Sequence, residues 1–151
     1  MARVLANGEM ELAQFPYSGG VTDSFRSLLY LEKLQNGVKS WAGPEAIGQY
    51  LTAETKGRLI QSMKSFLASR SLQSTEVFGR RYTLEALIAR ILRNIRQQAK
   101  AQFATRIQSA VVGRPVYFVG AESDADNAYA LSRLESALRQ ITMNPRSTAT
   151  S

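Results

Sequence analysis

The chain has 151 residues, a mass of 16.7 kDa and a net charge of +7; 44% of its residues are hydrophobic and 21% are charged. This size and composition predict one folded domain, since domains cluster at about 100 to 150 residues. The absence of cysteine and histidine excludes disulfides, thiolate or imidazole metal sites, and serine–histidine triads. No apolar run approaches the roughly 18 residues of a membrane span, so we expect a cytoplasmic protein without membrane contact.

The positive charge is concentrated in the centre of the chain. Residues 51–110 carry eleven basic and three acidic side chains, whereas residues 1–50 carry four and five, and residues 111–151 carry four of each. A basic block of this kind is typical of proteins that bind nucleic acid or another polyanion. A small non-catalytic module that binds a polyanion through residues 56–106 is therefore one hypothesis about function.

Two Asn-Gly pairs, at residues 7–8 and 36–37, each lie between short apolar stretches. Asn-Gly is the pair best able to adopt positive φ at both central positions of a tight hairpin turn. We therefore predict β-hairpins over residues 3–15 and 27–42. Pro16 and the Gly19-Gly20 pair predict that the second strand of the first hairpin ends there and that a loop begins.

The middle of the chain has shorter patterns. Pro44 and Glu45 precede an apolar three–four repeat and predict a short helix over residues 44–51. Residues 56–69 carry a weaker helical stripe that is interrupted by turns. Residues 75–82 predict another β segment that contains a turn.

The clearest predicted element is an amphipathic helix over residues 84–103, with Thr83 placed to cap its first turn. The polar face of this helix carries four basic side chains, Arg90, Arg93, Arg96 and Lys100. These side chains could track phosphates, but no aromatic residues interleave with them as in a platform for single strands. The outer face of a packed helix is the favoured interpretation.

Residues 110–119 form a nearly continuous apolar run, which predicts a strand buried on both faces with Pro115 at an edge, bulge or end. Ser123 and Asp126 then predict a capped helix with an apolar stripe. The acidic residues at its start could hold a cation, but helix capping is the favoured interpretation. Together the elements predict a mixed α+β domain over residues 1–143 and a disordered tail over residues 144–151.

One run of residues resembles a known protein family. Preceded by the helix over residues 84–103 and followed by a polar turn and a long helix, Val111-Val112-Gly113-Arg114-Pro115-Val116-Tyr117-Phe118 resembles the first lobe of the DnaK-type heat-shock chaperone ATPases. The likeness is closer to the YegD-like branch, which typically has a Gly-Arg-Pro-Val-type strand, and it spans roughly residues 9–141. Further segments follow the family's order: Ser27-Leu28-Leu29-Tyr30, Ile47-Gly48-Gln49 and Met63-Lys64-Ser65-Phe66-Leu67.

The resemblance implies an actin-like, ribonuclease-H-like ATPase fold that uses ATP and magnesium and works with client proteins and co-chaperones. Lys64 matches the family's catalytic lysine, which positions the attacking water and contacts the transferring phosphate. A lysine suits this role because charge develops on the phosphoryl oxygens in the transition state. Pro115 matches a conformational switch between nucleotide states, and Arg114 with the following strand relays the change.

The sequence departs from the family in its nucleotide-binding loops. It contains no Asp-Gly-Thr-type phosphate loop, no glycine-rich second phosphate loop and no adenosine pocket. We therefore expect a truncated first lobe over residues 1–143, with no metal ligands of its own and no nucleotide bound. Such a chain is predicted to be inactive in isolation and to self-associate through exposed apolar surface.

Overall fold

A computed structural model describes residues 1–55 and 57–142, which form a mixed α+β fold as predicted. The strands are β1 (Ala2–Val4), β2 (Met10–Leu12), β3 (Phe15–Tyr17), β4 (Gly20–Thr22), β5 (Leu28–Leu34), β6 (Gly37–Ala42), β7 (Arg58–Gln61), β8 (Ser74–Val77) and β9 (Arg80–Thr83). The helices are α1 (Gly43–Thr52), α2 (Leu84–Phe103) and α3 (Asp124–Thr142), and a 3-10 turn covers Met63–Phe66. The predicted disordered tail over residues 144–151 lies outside the described residues.

The strand pairs in these residues are all antiparallel. They form three hairpins, β1–β2, β3–β4 and β8–β9, and one three-stranded sheet in the order β6–β5–β7. The main core lies between this sheet, the 3-10 turn and the packed pair of helices α2 and α3. Its fully buried side chains include Leu29, Leu31, Met63, Leu67 and Leu87.

The first predicted hairpin is confirmed, with a longer turn than expected. The Leu5 N–H donates to the Glu9 carbonyl at 2.8 Å, and the Gly8 N–H donates to the Leu5 carbonyl at 2.9 Å. Gly8 has φ +85°, which a residue with a Cβ rarely adopts. The turn is therefore a three-residue loop that ends in a left-handed glycine, and Asn7-Gly8 does not form a two-residue turn.

The second predicted hairpin is also confirmed, although its turn is shifted by one residue. Leu34 pairs with Gly37, which leaves residues 35–36 as the turn. The prediction that Pro16 ends a strand and starts a loop is wrong, because β3 and β4 form a hairpin whose turn lies at residues 18–19. Pro16 lies within β3 opposite Val21, and proline is tolerated because both strands of a two-stranded ribbon are edges.

The helical stripe predicted over residues 56–69 is wrong for residues 58–61, which form β7, whereas Met63–Phe66 forms a 3-10 turn within the predicted range. Leu59 and Ile60 lie in β7, where they pair with Tyr30 and Leu29 of β5. Ser62 has φ +58° and ends the strand before the 3-10 turn begins. Residues 58–61 form a strand because they pair with β5, which is distant in sequence, and a local pattern does not indicate such pairing.

The predicted short helix is confirmed as α1, the turn-containing segment as β8–β9, and the long amphipathic helix as α2. The Thr83 hydroxyl oxygen accepts a hydrogen bond from the Ala86 N–H at 3.1 Å, as predicted for the cap of α2. Helix α3 begins as predicted after Ser123, whose hydroxyl oxygen accepts from the Asp126 N–H at 3.2 Å. The leucine stripe of α3 is only half-buried; its buried face consists of Ala130, Arg133 and Ala137.

The buried strand predicted over residues 110–119 is wrong. This segment pairs with no strand in the described residues, and the exposed fractions of Val116 and Val119 are 90% and 71%. Phe118 is the exception, since it is 4% exposed and packs in the main core. A strand buried on both faces lies in a sheet that is covered on both sides, and in the described chain this segment belongs to no sheet.

Candidate functional site

Lys64 lies in the 3-10 turn, with its side chain exposed to solvent. The turn is anchored by Met63 and Leu67, which are 2% and 1% exposed. In the part of the chain that the structure describes, the Lys64 ammonium makes no ion pair or hydrogen bond. The turn is therefore anchored in the core and carries one positive charge that is exposed to solvent and has no partner in the described residues.

Arg114 and Pro115 lie in the extended, exposed segment that follows α2. The Arg114 Nη1 donates to the carbonyls of Pro115 at 3.1 Å and Val116 at 3.5 Å, so the guanidinium folds back onto its own segment. The strand that the resemblance expects around these two residues is absent here. This arrangement places Arg114 and Pro115 in water, away from any sheet.

The end of this segment is held against the core near the Lys64 turn. The Phe118 N–H donates to Asn127 Oδ1 at 2.9 Å, and Asn127 Nδ2 donates to the Val116 carbonyl at 3.3 Å. A Cβ on Gly120 would lie 3.8 Å from the Ser65 carbonyl oxygen. The structure thus brings the end of the Arg114–Pro115 segment beside the turn that carries Lys64, although no hydrogen bond joins the side chains of Lys64 and Arg114.

Arg133 of α3 contacts the end of the same turn, a position that the sequence did not predict. Its side chain is 4% exposed and forms an ion pair with Glu85, with Nε 2.6 Å from Oε1. Its guanidinium also donates to four backbone carbonyls, those of Phe66, Leu67, Ser69 and Leu72. The one available signal was its position between Ala130 and Ala137 on a single helix face.

Three of the four basic side chains on α2 contact the protein itself, as the packed-helix interpretation expects. Arg93 donates to the Gln140 carbonyl at 2.9 Å, and Arg96 donates to the Ile141 carbonyl at 2.7 Å. These carbonyls lie in the last turn of α3, where cations are favoured. Arg90 donates to Ser40 Oγ at 3.1 Å, whereas Lys100 is exposed. The four basic side chains of α2 therefore do not form a continuous basic surface that is free to bind a polyanion.

The acidic residues at the start of α3 act as a cap. The Ser123 hydroxyl donates to Asp126 Oδ2 at 2.8 Å, and Arg70 Nε lies 3.3 Å from Asp126 Oδ1. The hydrogen bond from Ser123 holds the pKa of Asp126 below its usual value, with smaller contributions from the Glu122 N–H and Arg70. Within residues 1–55 and 57–142, no group of three or more acidic side chains is placed to hold a metal ion.

An open groove of about 900 Å³ lies between α2, α3 and the chain that follows α2. Its helical walls include Leu92, Ile95, Leu138 and Ile141. The exposed residues 110–113 form another wall, so the groove continues into the apolar segment. The groove is the space between residues 110–113 and the two helices.

A comparison with models of known protein families finds none that matches this chain. Among the described residues, no helix is both long and apolar enough to cross a membrane.

Proposed function

We propose that this chain is part of the first lobe of an actin-like ATPase domain from a DnaK-type, YegD-like chaperone. The complete protein would bind ATP and magnesium in the cytoplasm and couple hydrolysis to the binding of client proteins, assisted by co-chaperones. The observation that carries this proposal is the exposed apolar segment over residues 111–119. Its composition suits a central strand, yet most of its side chains lie in water.

An apolar segment with the composition of a strand is normally covered by neighbouring elements of a sheet. The sheets formed by residues 1–55 and 57–142 do not supply those strands. A first lobe would receive them from other parts of its inner sheet, which accounts for both the sequence of the segment and its exposure here. Without that sheet, the same surface would favour association of the chain with itself.

Lys64 supports the proposal through its position. Its ammonium is exposed on an anchored turn beside the end of the Arg114–Pro115 segment. A point charge carried on an anchored turn suits contact with a transferring phosphate and orientation of the attacking water. Arg114 and Pro115 would then report the nucleotide state from the same segment.

The coding DNA upstream of Met1 and downstream of Ser151 tests this proposal. We expect it to encode the Asp-Gly-Thr-type loop before residue 1 and the glycine-rich loop after residue 151, in this frame or another. An extended protein should then hydrolyse ATP, and Lys64→Ala should lower the rate by about 100- to 1,000-fold. Lys100→Ala, which removes another exposed lysine, should leave the rate unchanged. DNA without these loops in any frame would overturn the proposal.

We propose as a second candidate that the basic region over residues 56–106 binds a polyanion. Arg80 and Arg81 favour it, because both are exposed at the β8–β9 hairpin beside the exposed ring of Phe78 and neither forms an ion pair in the described chain. Binding of a single-stranded oligonucleotide should weaken with salt, and loss of both arginines should lower the slope by about 1.4, or 0.7 for each phosphate contact. An unchanged slope would exclude this candidate.

A further inference from the structure

We infer that Arg133 is the positioning residue of the turn that carries Lys64, an inference that rests on the proposed function for the role of Lys64 itself. The Arg133 guanidinium joins its own helix, α3, to two other parts of the molecule. It forms an ion pair with Glu85 in the first turn of α2 and donates four hydrogen bonds to backbone carbonyls of residues 66–72.

The carbonyls that Arg133 binds are those that follow Lys64. Its Nη1 donates to the carbonyls of Phe66 and Leu67 at 3.3 Å each, and to that of Ser69 at 3.0 Å. Its Nη2 donates to the Leu72 carbonyl at 3.0 Å. The Phe66 carbonyl also accepts from the Ser69 N–H at 3.0 Å, so Arg133 binds both the end of the 3-10 turn and the chain that follows it.

The side chain at this position must be an arginine for the contacts to form together. A guanidinium carries five N–H donors in a rigid planar fork, and here each of its three nitrogen atoms is engaged. A lysine has a single ammonium on a flexible stem and cannot reach Glu85 and the spread of carbonyls at the same time. Because Arg133 is 4% exposed, water cannot replace the contacts that a lysine would lose.

The simpler interpretation is a buried ion pair that stabilises the whole fold without favouring any one part. The two interpretations differ in where the chain opens when the contacts are weakened. A clamp on residues 66–72 protects that segment locally, so its loss opens the segment while the helices stay closed. A global stabiliser protects all core amides by the same free energy.

Amide hydrogen exchange of the whole chain, measured without nucleotide, tests the clamp. In Arg133→Lys we expect exchange at the amides of Leu67 and Ser69 to rise about ten- to a hundredfold, as for loss of hydrogen bonds to a charged group. Exchange at Ile91 in α2 should stay nearly unchanged. Arg139→Lys, which alters an exposed arginine of the same helix, should change neither. An equal rise at all core amides would overturn the inference.

A milder variant keeps the test decisive if Arg133→Lys does not fold. Glu85→Gln removes one charge of the pair and leaves the carbonyls as partners of Arg133. Faster exchange confined to residues 66–72 is again the expected result. Unchanged exchange in that segment would show that Glu85 does not hold Arg133 in place and would overturn the inference.

The extended protein separates failure of this inference from failure of the proposed function. Arg133→Lys should lower kcat for ATP hydrolysis about tenfold or more and leave KM within about twofold, since misplacement of the lysine affects the transition state rather than substrate binding. Loss of activity in Lys64→Ala but not in Arg133→Lys would overturn the positioning role alone. Normal activity in Lys64→Ala would overturn the proposed function.

Discussion

Replacing Phe118 with alanine is expected to lower the free energy of unfolding by about 3 to 4 kcal/mol, the usual cost of removing a buried phenyl ring. The ring is 4% exposed and packs in the main core, so truncation removes apolar contacts and leaves a cavity. Val116 lies two residues earlier and is 90% exposed. Val116→Ala should therefore change the free energy of unfolding by less than about 0.5 kcal/mol.

Urea unfolding, followed by the fluorescence of the single tryptophan Trp41 and by circular dichroism, measures both variants. With a slope of about 2 kcal/mol per molar urea, Phe118→Ala should move the midpoint down by about 1.5 to 2 M. The Val116→Ala midpoint should stay within about 0.25 M of the original on the same slope. A loss of more than about 1 kcal/mol in Val116→Ala would contradict the exposed placement of the segment. A loss that grows with protein concentration would instead show that a second copy covers it.

Two further predictions concern a glycine and a carboxylate. Gly57→Ala should lower the free energy of unfolding by about 1 to 3 kcal/mol, because its Cβ would lie 2.1 Å from the Leu31 carbonyl oxygen. Gly48→Ala should raise the free energy of unfolding by about 0.5 to 1 kcal/mol, because a Cβ at this position in α1 meets open space. Equal urea midpoints for the two variants would contradict this prediction. Asp126 should titrate below the ordinary value of about 3.9, because Ser123 hydrogen-bonds its ionised form. The ionised Asp126 therefore contributes to the free energy of unfolding above about pH 4, and this contribution is lost as the pH falls through the lowered pKa of Asp126. Carboxyl carbon shifts measure the midpoint, Ser123→Ala should raise it, and a midpoint at or above the ordinary value would refute the cap.

Elements that depend on nearby residues were predicted from the sequence. The bounds of α2 follow from its apolar period and the Thr83 cap, and both are local. The start of α3 follows from Ser123 and Asp126 in the same way. The hairpins were located from Asn-Gly pairs, but their loop lengths depend on strand pairing and differ from the expectation.

Features that depend on distant partners could not be predicted. Residues 110–119 have the composition of a buried strand, yet a strand is buried on both faces only within a sheet that other elements cover. Leu59 and Ile60 lie in a sheet because they pair with β5, and this pairing cannot be predicted from the local sequence pattern. Arg133 is buried because carbonyls of residues 66–72 and Glu85 meet at its position, and only the folded chain brings them together.

Calorimetry of the chain with ATP and magnesium tests the central claim most directly, that Lys64 is here one part of an incomplete nucleotide site. Phosphoryl transfer needs donors around the β- and γ-phosphates, a held metal and an oriented nucleophile, and one exposed lysine supplies a single charge. We predict neither micromolar affinity for ATP nor magnesium-dependent hydrolysis, and the same result for Lys64→Ala. Tight binding of ATP, or hydrolysis that Lys64→Ala abolishes, would show a working site in this chain and contradict the account.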